Sequence, residues 1–155
     1  MKARTMVVAL ALCVVAVAVW AADSPQMGTW QLNEAKSKFA PGATKNSKVV
    51  YEMAGDDVKV TVEGTDSNGN ATKSEWVGKF DGKPYAVSGE AEPATRSYRQ
   101  INARTLAFHE TVNGKIVLSG RITVSADGMT RTVTTVTTDA KGMKAHSTAV
   151  YDKQM

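Results

Sequence analysis

The feature that most constrains the fold is a series of short runs, from residue 28 onward, in which apolar and polar residues alternate. The clearest run covers residues 58–63, where three valines alternate with charged and polar residues. A period of two is typical of a strand with one buried face. Turn signals such as Asn113-Gly114 separate the runs about every 10 to 15 residues, with no helix of useful length between them. The sequence therefore predicts an all-β protein made of sequential hairpins.

Closure of these strands into a barrel is the predicted architecture. A flat sheet of about ten strands would leave open edges. Short sequential connections favour an antiparallel up-and-down barrel of about 8–10 strands, with a β-sandwich as the alternative. One short helical turn is expected after the first strand, where Asn33 can cap residues 34–38 before Pro41 and Gly42 end it.

The first 21 residues have a different pattern. A short basic start is followed by the apolar run Met6–Val19 and by small residues, which is typical of a secretory signal peptide cleaved after Ala21. The apolar run is about 14 residues long, shorter than the ~20 of a membrane-spanning helix. We therefore expect residues 22–155 to form a single domain, periplasmic or secreted, with no stable membrane insertion after cleavage.

Charge and residue usage argue against several classes of function. Cys13 is the only cysteine and lies in the leader, so the remaining domain offers no disulfide and no cysteine nucleophile. Removal of the leader leaves 17 basic against 15 acidic residues, scattered singly, so no nucleic-acid partner is expected. His109 and His146 lack metal-ligand spacing, and no serine or threonine has an activating partner. We predict no metal, no cofactor and no catalytic residue.

The segment Gly28-Thr29-Trp30 resembles the Gly-x-Trp motif of the lipocalins and their calycin relatives. In that family the indole lies across the closed end of the barrel. Further segments are similar to an uncharacterised group of exported bacterial lipocalin-like proteins. These segments are residues 28–39, 81–89, 125–130 and 150–154.

The resemblance implies a calycin-type β-barrel in which Trp30 is a structural plug. A late basic residue packs on this tryptophan in the family, and Lys153 is the candidate for that position. Fatty-acid-binding proteins often hold a carboxylate with an Arg-x-Tyr on the last strand, whereas residues 149–151 are Ala-Val-Tyr here. The resemblance therefore does not extend to fatty-acid binding.

Five side chains on faces that we predict to point inward form the candidate ligand-binding site. The four aromatic residues among them can line a pocket for an apolar molecule, or they can fill a small solid barrel. The arginine can receive a ligand carboxylate through a bidentate contact, or it can have a structural role with its stem buried. The five residues are Tyr51, Trp76, Tyr85, Arg99 and Phe108.

The function that these observations favour is binding. We expect an exported barrel that holds a small, largely apolar molecule in its lumen. The alternative is a filled structural or interaction barrel of the cell envelope, without a small-molecule ligand. The threonine-rich run 130–138 favours this alternative, since a hydroxyl-covered strand can pair with or contact a partner. An enzyme is the third hypothesis, because no acid, base and oxyanion site are evident, and the ligand and oligomeric state stay open.

Overall fold

The computed structural model describes residues 21–155, and within them the chain forms ten β-strands and two short 3-10 helices. The 3-10 helices cover Ala21–Asp23 and Glu34–Lys36. The strands are β1 (Gly28–Leu32), β2 (Lys45–Ala54), β3 (Asp57–Thr65), β4 (Ala71–Gly78), β5 (Tyr85–Ser88), β6 (Ala94–Asn102), β7 (Thr105–Val112), β8 (Lys115–Val124), β9 (Thr130–Thr138) and β10 (Lys144–Gln154).

The predicted leader, residues 1–21, lies outside the described residues except for Ala21. Its cleavage therefore stays a prediction. Neither 3-10 helix in residues 21–155 has the length and hydropathy needed to cross a membrane.

The ten strands form one closed antiparallel barrel, which confirms the predicted fold class. Each strand pairs with its neighbours in sequence, and the barrel closes where β1 pairs with β10. In this register Trp30 lies between Lys153 of β10 and Val49 of β2. Every strand in residues 21–155 thus has a partner on both sides, which removes the open edges of a flat sheet.

Closure corrects one expectation for the threonine-rich strand β9. Its backbone pairs with β8 on one side and with β10 on the other. The strand therefore cannot pair with another protein, and only its outward side chains, such as Thr134, remain available for contact. Its inward side includes Arg131, which is only 3% exposed.

The short helical turn forms where it was predicted, directly after β1. The Asn33 side chain accepts a hydrogen bond from the backbone N–H of Lys36 at 3.2 Å and so caps the turn. The amide of Asn33 donates to Asp152 at 2.8 Å, which ties the turn to β10. The predicted Asn113-Gly114 hairpin is also present, with positive φ angles of 50° and 77° in the two-residue loop between β7 and β8.

Alternate positions of the long strands supply the core. These side chains are buried because they point inward, while their neighbours face water. The buried apolar residues are Trp30, Val49, Tyr51, Val58, Val60, Val62, Trp76, Val87, Ala94, Tyr98, Leu106, Phe108, Ile122, Val124, Ala149 and Tyr151.

One position in the wall is made of backbone alone. Gly120 of β8 lies opposite Phe108 of β7. A Cβ at Gly120 would lie 2.5 Å from the carbonyl oxygen of Thr134 and 2.6 Å from the Phe108 ring. Only glycine allows this close approach, so the Phe108 ring covers the wall from inside at this point.

Candidate functional site

Aromatic side chains occupy the centre of the barrel. The Tyr98 ring lies between Trp76, Tyr51 and Phe108, with ring centroids 4.7, 6.3 and 5.8 Å away. Mostly tilted or edge-on contacts of this kind are favourable for aromatic rings. Three residues of the predicted site therefore lie inside the barrel, packed around Tyr98, which was not among the predicted site residues.

The fourth aromatic residue of the predicted site, Tyr85, lies at the rim. Its ring packs edge-on against Trp76 at 5.6 Å, and its hydroxyl donates to Asp81 at 2.8 Å. This hydrogen bond raises the pKa of the Tyr85 phenol. The Trp76 indole N–H donates to the backbone oxygen of Arg96 at 2.8 Å, which leaves no buried donor on that ring unpaired.

Arg99 does not point inward, and that part of the prediction is wrong. Tyr98, its neighbour on β6, pairs with Phe108 and is 3% exposed, whereas Arg99 pairs with Ala107 and is exposed. Neighbouring residues of a strand point to opposite faces. Because Tyr98 takes the inner position, Arg99 lies on the outer wall. The roles of the other four residues in ligand binding stay predictions.

Trp30 lies at the end of the barrel where β1 begins, which we call the tryptophan end. It is fully buried, and its indole N–H donates to the backbone oxygen of Gln26 at 2.9 Å. The side chain of Gln26 donates in turn to the backbone oxygen of Arg104 at 3.2 Å. The segment before β1 thus crosses the end of the barrel and is fixed to the turn between β6 and β7.

Two cations from the neighbouring strands β10 and β9 pack on Trp30. The Lys153 Nζ lies 5.3 Å from the centre of the indole, at the position implied by the family resemblance. The Arg131 guanidinium carbon lies 6.0 Å from the same ring, 4.7 Å from the Tyr51 ring and 5.5 Å from the Tyr151 ring. Cations over aromatic faces are stabilised by the ring quadrupole.

Arg131 is the principal polar group of the interior. One of its terminal nitrogens, Nη2, donates to the Tyr51 hydroxyl at 2.6 Å. Within residues 21–155, its Nε and Nη1 atoms are buried and have no hydrogen-bond partner. A buried donor without an acceptor is costly. These two nitrogens can therefore donate hydrogen bonds to an oxygen of a further group.

Burial keeps the tyrosines near Arg131 protonated. It raises the pKa of the Tyr51 phenol far above its usual value, and the positive charge of Arg131 only partly opposes this effect. Burial also raises the pKa of Tyr151, which lies opposite Arg131 in the β9–β10 ladder. The last strand lacks an Arg-x-Tyr sequence, yet the neighbouring strand places an arginine beside its tyrosine.

A buried ion pair lies on the far side of Tyr98. The Nε of Arg96 donates to the carboxylate of Glu110 at 2.9 Å, and a second guanidinium nitrogen contacts the same oxygen. Burial alone would lower the pKa of Arg96, but Tyr98 and Glu110 raise it above its usual range. Arg96 therefore stays charged.

A pocket opens at the tryptophan end, beside the aromatic centre. Its volume is about 550 Å³. Phe80 and Val58 form its apolar floor, and polar side chains such as Lys79 and Gln100 form its rim. The full lining is Ala21, Asp56, Val58, Lys79, Phe80, Asp81, Gln100, Asn102 and Ala103.

The residues suited to chemistry are few. Within residues 21–155, no three His, Cys, Asp or Glu side chains lie close enough together to hold a metal ion. His109 contacts Ser119 on the exposed outer wall, with 3.1 Å between Nδ1 and Oγ. The interior can enclose apolar surface and offer hydrogen-bond donors, which suits binding.

The sequence analysis missed Arg131, Arg96, Glu110 and Tyr98 as inward residues. The available signal was cross-strand register. Phe108 was correctly predicted to point inward, and the residue opposite it in the ladder is Tyr98. Arg131 lies opposite Tyr151, for which no face was predicted. Single-strand alternation does not use that information.

The comparisons with known proteins add little. No protein-family model matches the chain, and no curated protein matches it. Among solved structures, the chain is similar to the structure of EF1p2_mFAP2b bound to DFHBI, with 13% sequence identity and a TM-score of 0.48. The alignment covers 84% of this chain and 94% of the other. The assignment of a ten-stranded barrel rests on the strand pairing of this chain itself.

Proposed function

We propose that the protein is an exported, lipocalin-like barrel that binds a small, largely apolar molecule at its tryptophan end. The observation that supports this function is the pocket of about 550 Å³ over Phe80 and Val58. Small-molecule sites are commonly about 300–1,000 Å³, mostly apolar, with a few polar groups that orient the ligand. The mouths of β-barrels are among the usual places for them.

Phe80 separates the pocket from the barrel centre. Its ring is only partly buried, and it lies 6.4 Å from the Tyr51 ring and 5.9 Å from the Tyr98 ring. A rotation of this one side chain would join the pocket to the aromatic centre. The ligand would then extend from the mouth into the lumen.

Arg131 would receive the polar end of such a ligand. It lies behind Tyr51, and its Nε and Nη1 atoms are buried donors without an acceptor among the described residues. A carbonyl or carboxylate oxygen would satisfy them. The preferred ligand is therefore an apolar molecule with one oxygen acceptor at its end.

We also propose a periplasmic or secreted location and a role without catalysis. The leader pattern supports export, and the sequence predicts no catalytic residue. Cleavage after Ala21 would remove one apolar residue from the pocket lining. The mature protein would thus have a wider mouth.

The test is the binding of 1-anilinonaphthalene-8-sulfonate, measured by fluorescence titration on the mature chain. Ala103 and Ala126 are both exposed turn residues at the tryptophan end, but only Ala103 lines the pocket. Ala103→Trp fills the pocket and should weaken binding at least about tenfold, since it displaces the probe. Ala126→Trp adds the same ring outside the pocket and should leave the affinity unchanged. Equal affinity in both variants would show that the pocket is not the binding site.

A filled structural barrel is the second candidate, because ring contacts of 4.7 to 6.3 Å around Tyr98 occupy the barrel centre. Native mass spectrometry of protein purified from its own host separates the two candidates. A co-purified small molecule supports the binding function. The lack of both a co-purified mass and saturable dye binding in the wild type supports the structural role.

A further inference from the structure

A second concave site lies on the outer wall, away from the tryptophan end pocket. It is a groove of about 550 Å³ that crosses the strands β6 to β10. Two arginines, Arg99 and Arg121, and two histidines, His109 and His146, contribute to its lining. The polar remainder consists of hydroxyl groups, and the lining includes no carboxylate. We name this feature the outer groove.

The ladder register places the two arginines on either side of a small residue. Arg99 of β6 lies opposite Ala107 of β7, which lies opposite Arg121 of β8. Neighbouring strands are about 4.8 Å apart, so the two arginine Cα atoms are roughly 10 Å apart. Ala107 leaves the space above it open. Both guanidinium groups can therefore reach one group located over Ala107.

The two arginines are free of internal ion pairs. In residues 21–155, no carboxylate lies within 4.0 Å of either guanidinium, since the ion pairs found there involve other cations. Residues 1–20 contain no aspartate or glutamate. The aliphatic stem of Arg99 packs against Gly82, which limits its freedom. Asp81 faces Arg99 in an isolated antiparallel bridge, but its carboxylate accepts from the Tyr85 hydroxyl and the Lys83 backbone N–H instead. Within residues 21–155, neither arginine of the outer groove therefore has an ion-pair partner.

Side chains of the next row complete the donor set. His109 Nδ1 lies 3.1 Å from Ser119 Oγ, which fixes the ring and leaves its other nitrogen free to face the outer groove. Further along, Thr134 and Thr148 offer hydroxyl groups, and Val136 offers a small apolar surface. The outer groove is longer than a single anion and continues as a mixed surface.

We propose that the outer groove binds a phosphorylated small molecule. The phosphate would lie over Ala107 between Arg99 and Arg121, and the rest of the molecule would lie along Thr134 and Val136. Guanidinium groups match phosphate oxygens in bidentate geometry. A phosphate monoester has a charge of about −1.5 to −2 at pH 7, which two arginines balance better than they balance a single carboxylate. The proposal is independent of the pocket at the tryptophan end, because the two sites have no lining residue in common.

The test is a titration of the 15N-labelled protein with adenosine 5′-monophosphate and with inorganic phosphate, followed by NMR at constant ionic strength. Both probes should produce saturable shifts in the amides of residues 107, 120, 121 and 134, and adenosine alone should produce none. Arg99→Gln and Arg121→Gln should each weaken binding about tenfold or more, because each removes a charge-assisted contact. The control Arg104→Gln removes an exposed arginine at the tryptophan end and should bind like the wild type.

A further variant tests the same geometry without removing an arginine. Ala107→Glu places a carboxylate between the two guanidinium groups and should abolish binding of both probes. The proposal is wrong if neither probe binds saturably, or if the arginine variants bind as tightly as Arg104→Gln. It is also wrong if sedimentation with phosphatidylglycerol vesicles depends on both arginines while the soluble probes produce no shifts, since the partner would then be a membrane surface.

Discussion

The cations inside the barrel and the cations of the outer groove differ in the partners that the protein gives them. Inside, Arg96 pairs with Glu110, and Arg131 packs against three aromatic rings and the Tyr51 hydroxyl. Outside, Arg99 and Arg121 have no carboxylate among the described residues. Water has little access to the inner charges, so their stabilisation depends mainly on groups of the protein. On the outer wall, water solvates the charged groups, and these groups remain available to a ligand.

The opposite outer wall shows that unpaired cations are not a general property of this surface. Lys59 of β3 pairs with Glu75 of β4 at 3.3 Å, and Lys73 pairs with Glu63 at 3.6 Å. Both are cross-strand pairs, which stabilise a sheet modestly. The outer groove departs from this arrangement. Alanine and threonine face its arginines in the β6–β7, β7–β8 and β8–β9 ladders. Asp81 faces Arg99 in an isolated bridge, but its carboxylate accepts from the Tyr85 hydroxyl and the Lys83 backbone N–H.

The largest expected effect comes from breaking the inner ion pair. Glu110→Ala leaves Arg96 buried without its partner and should lower the free energy of unfolding by about 3–5 kcal/mol. The matched variant Glu75→Ala breaks an exposed pair and should cost at most about 1 kcal/mol. Urea unfolding followed by tryptophan fluorescence measures both. Similar losses in the two variants would remove the distinction between inner and outer charges.

A smaller effect is expected where the interior and the outer groove share a wall. Gly120→Ala introduces a Cβ that meets the Thr134 carbonyl oxygen and the Phe108 ring at 2.5 to 2.6 Å, so it should destabilise by about 1–3 kcal/mol. The adjacent variant Ser119→Ala changes an outward side chain and should stay within about 0.5 kcal/mol of the wild type. Thermal and urea unfolding of the two variants would test this; an unchanged Gly120→Ala would mean that the wall can yield.

Alkaline pH should destabilise the interior specifically. The folded pKa values of Tyr51 and Tyr151 are raised, so the unfolded chain loses these protons first once the pH exceeds about 10. The stabilisation is present below about pH 10 and is lost as the pH rises. For Tyr51 the loss is about 1 kcal/mol between pH 10 and 11, and Tyr151 contributes in the same direction. Urea midpoints across this range should fall less steeply in Tyr151→Phe. An equal slope in that variant would contradict the prediction.

The smallest expected effect comes from replacing Arg131, whose Nη2 donates to Tyr51 while Nε and Nη1 have no partner among the described residues. Arg131→Met keeps most of the volume and eliminates two unpartnered donors, so its unfolding free energy should stay within about 1 kcal/mol of the wild type or rise. Arg131→Ala instead leaves a cavity and should cost about 2–5 kcal/mol. Calorimetry on the pair separates charge from volume. A large loss in Arg131→Met would mean that the guanidinium itself stabilises the fold.

The strands could be predicted from local signals, whereas the site depended on register. The alternation at residues 58–63, the Asn113-Gly114 turn and the Asn33 cap are encoded within a few neighbouring residues, so they were predicted correctly. On β6 the two faces offer similar mixtures of polar and apolar residues. Ile101 shares the face of Arg99 and is apolar, yet it is 36% exposed near an irregularity in the ladder with β7. Only the pairing with a neighbouring strand decides such a case.

Arg131 shows the same limit for a charged residue. It is the only basic residue in a run of threonines and valines, and on a single strand an arginine is expected at the surface. Its inward position follows from Tyr151 on the next strand. The hydrogen bond to Tyr51 comes from a strand eighty residues away and has no local signature.

Because Thr29 pairs with Gln154, the β1–β10 ladder that closes the barrel can form only after β10 has left the ribosome. Until then β1 and β9 each have one edge with unpaired backbone groups, which makes the nascent chain prone to association with other chains. The proximity of Thr29 and Gln154 also suits a circular permutation. A short linker could join the two ends of the barrel chain near these residues, and the chain could be opened at Asn113-Gly114 between β7 and β8. A permuted chain of this kind would retain every ladder while beginning its synthesis at β8.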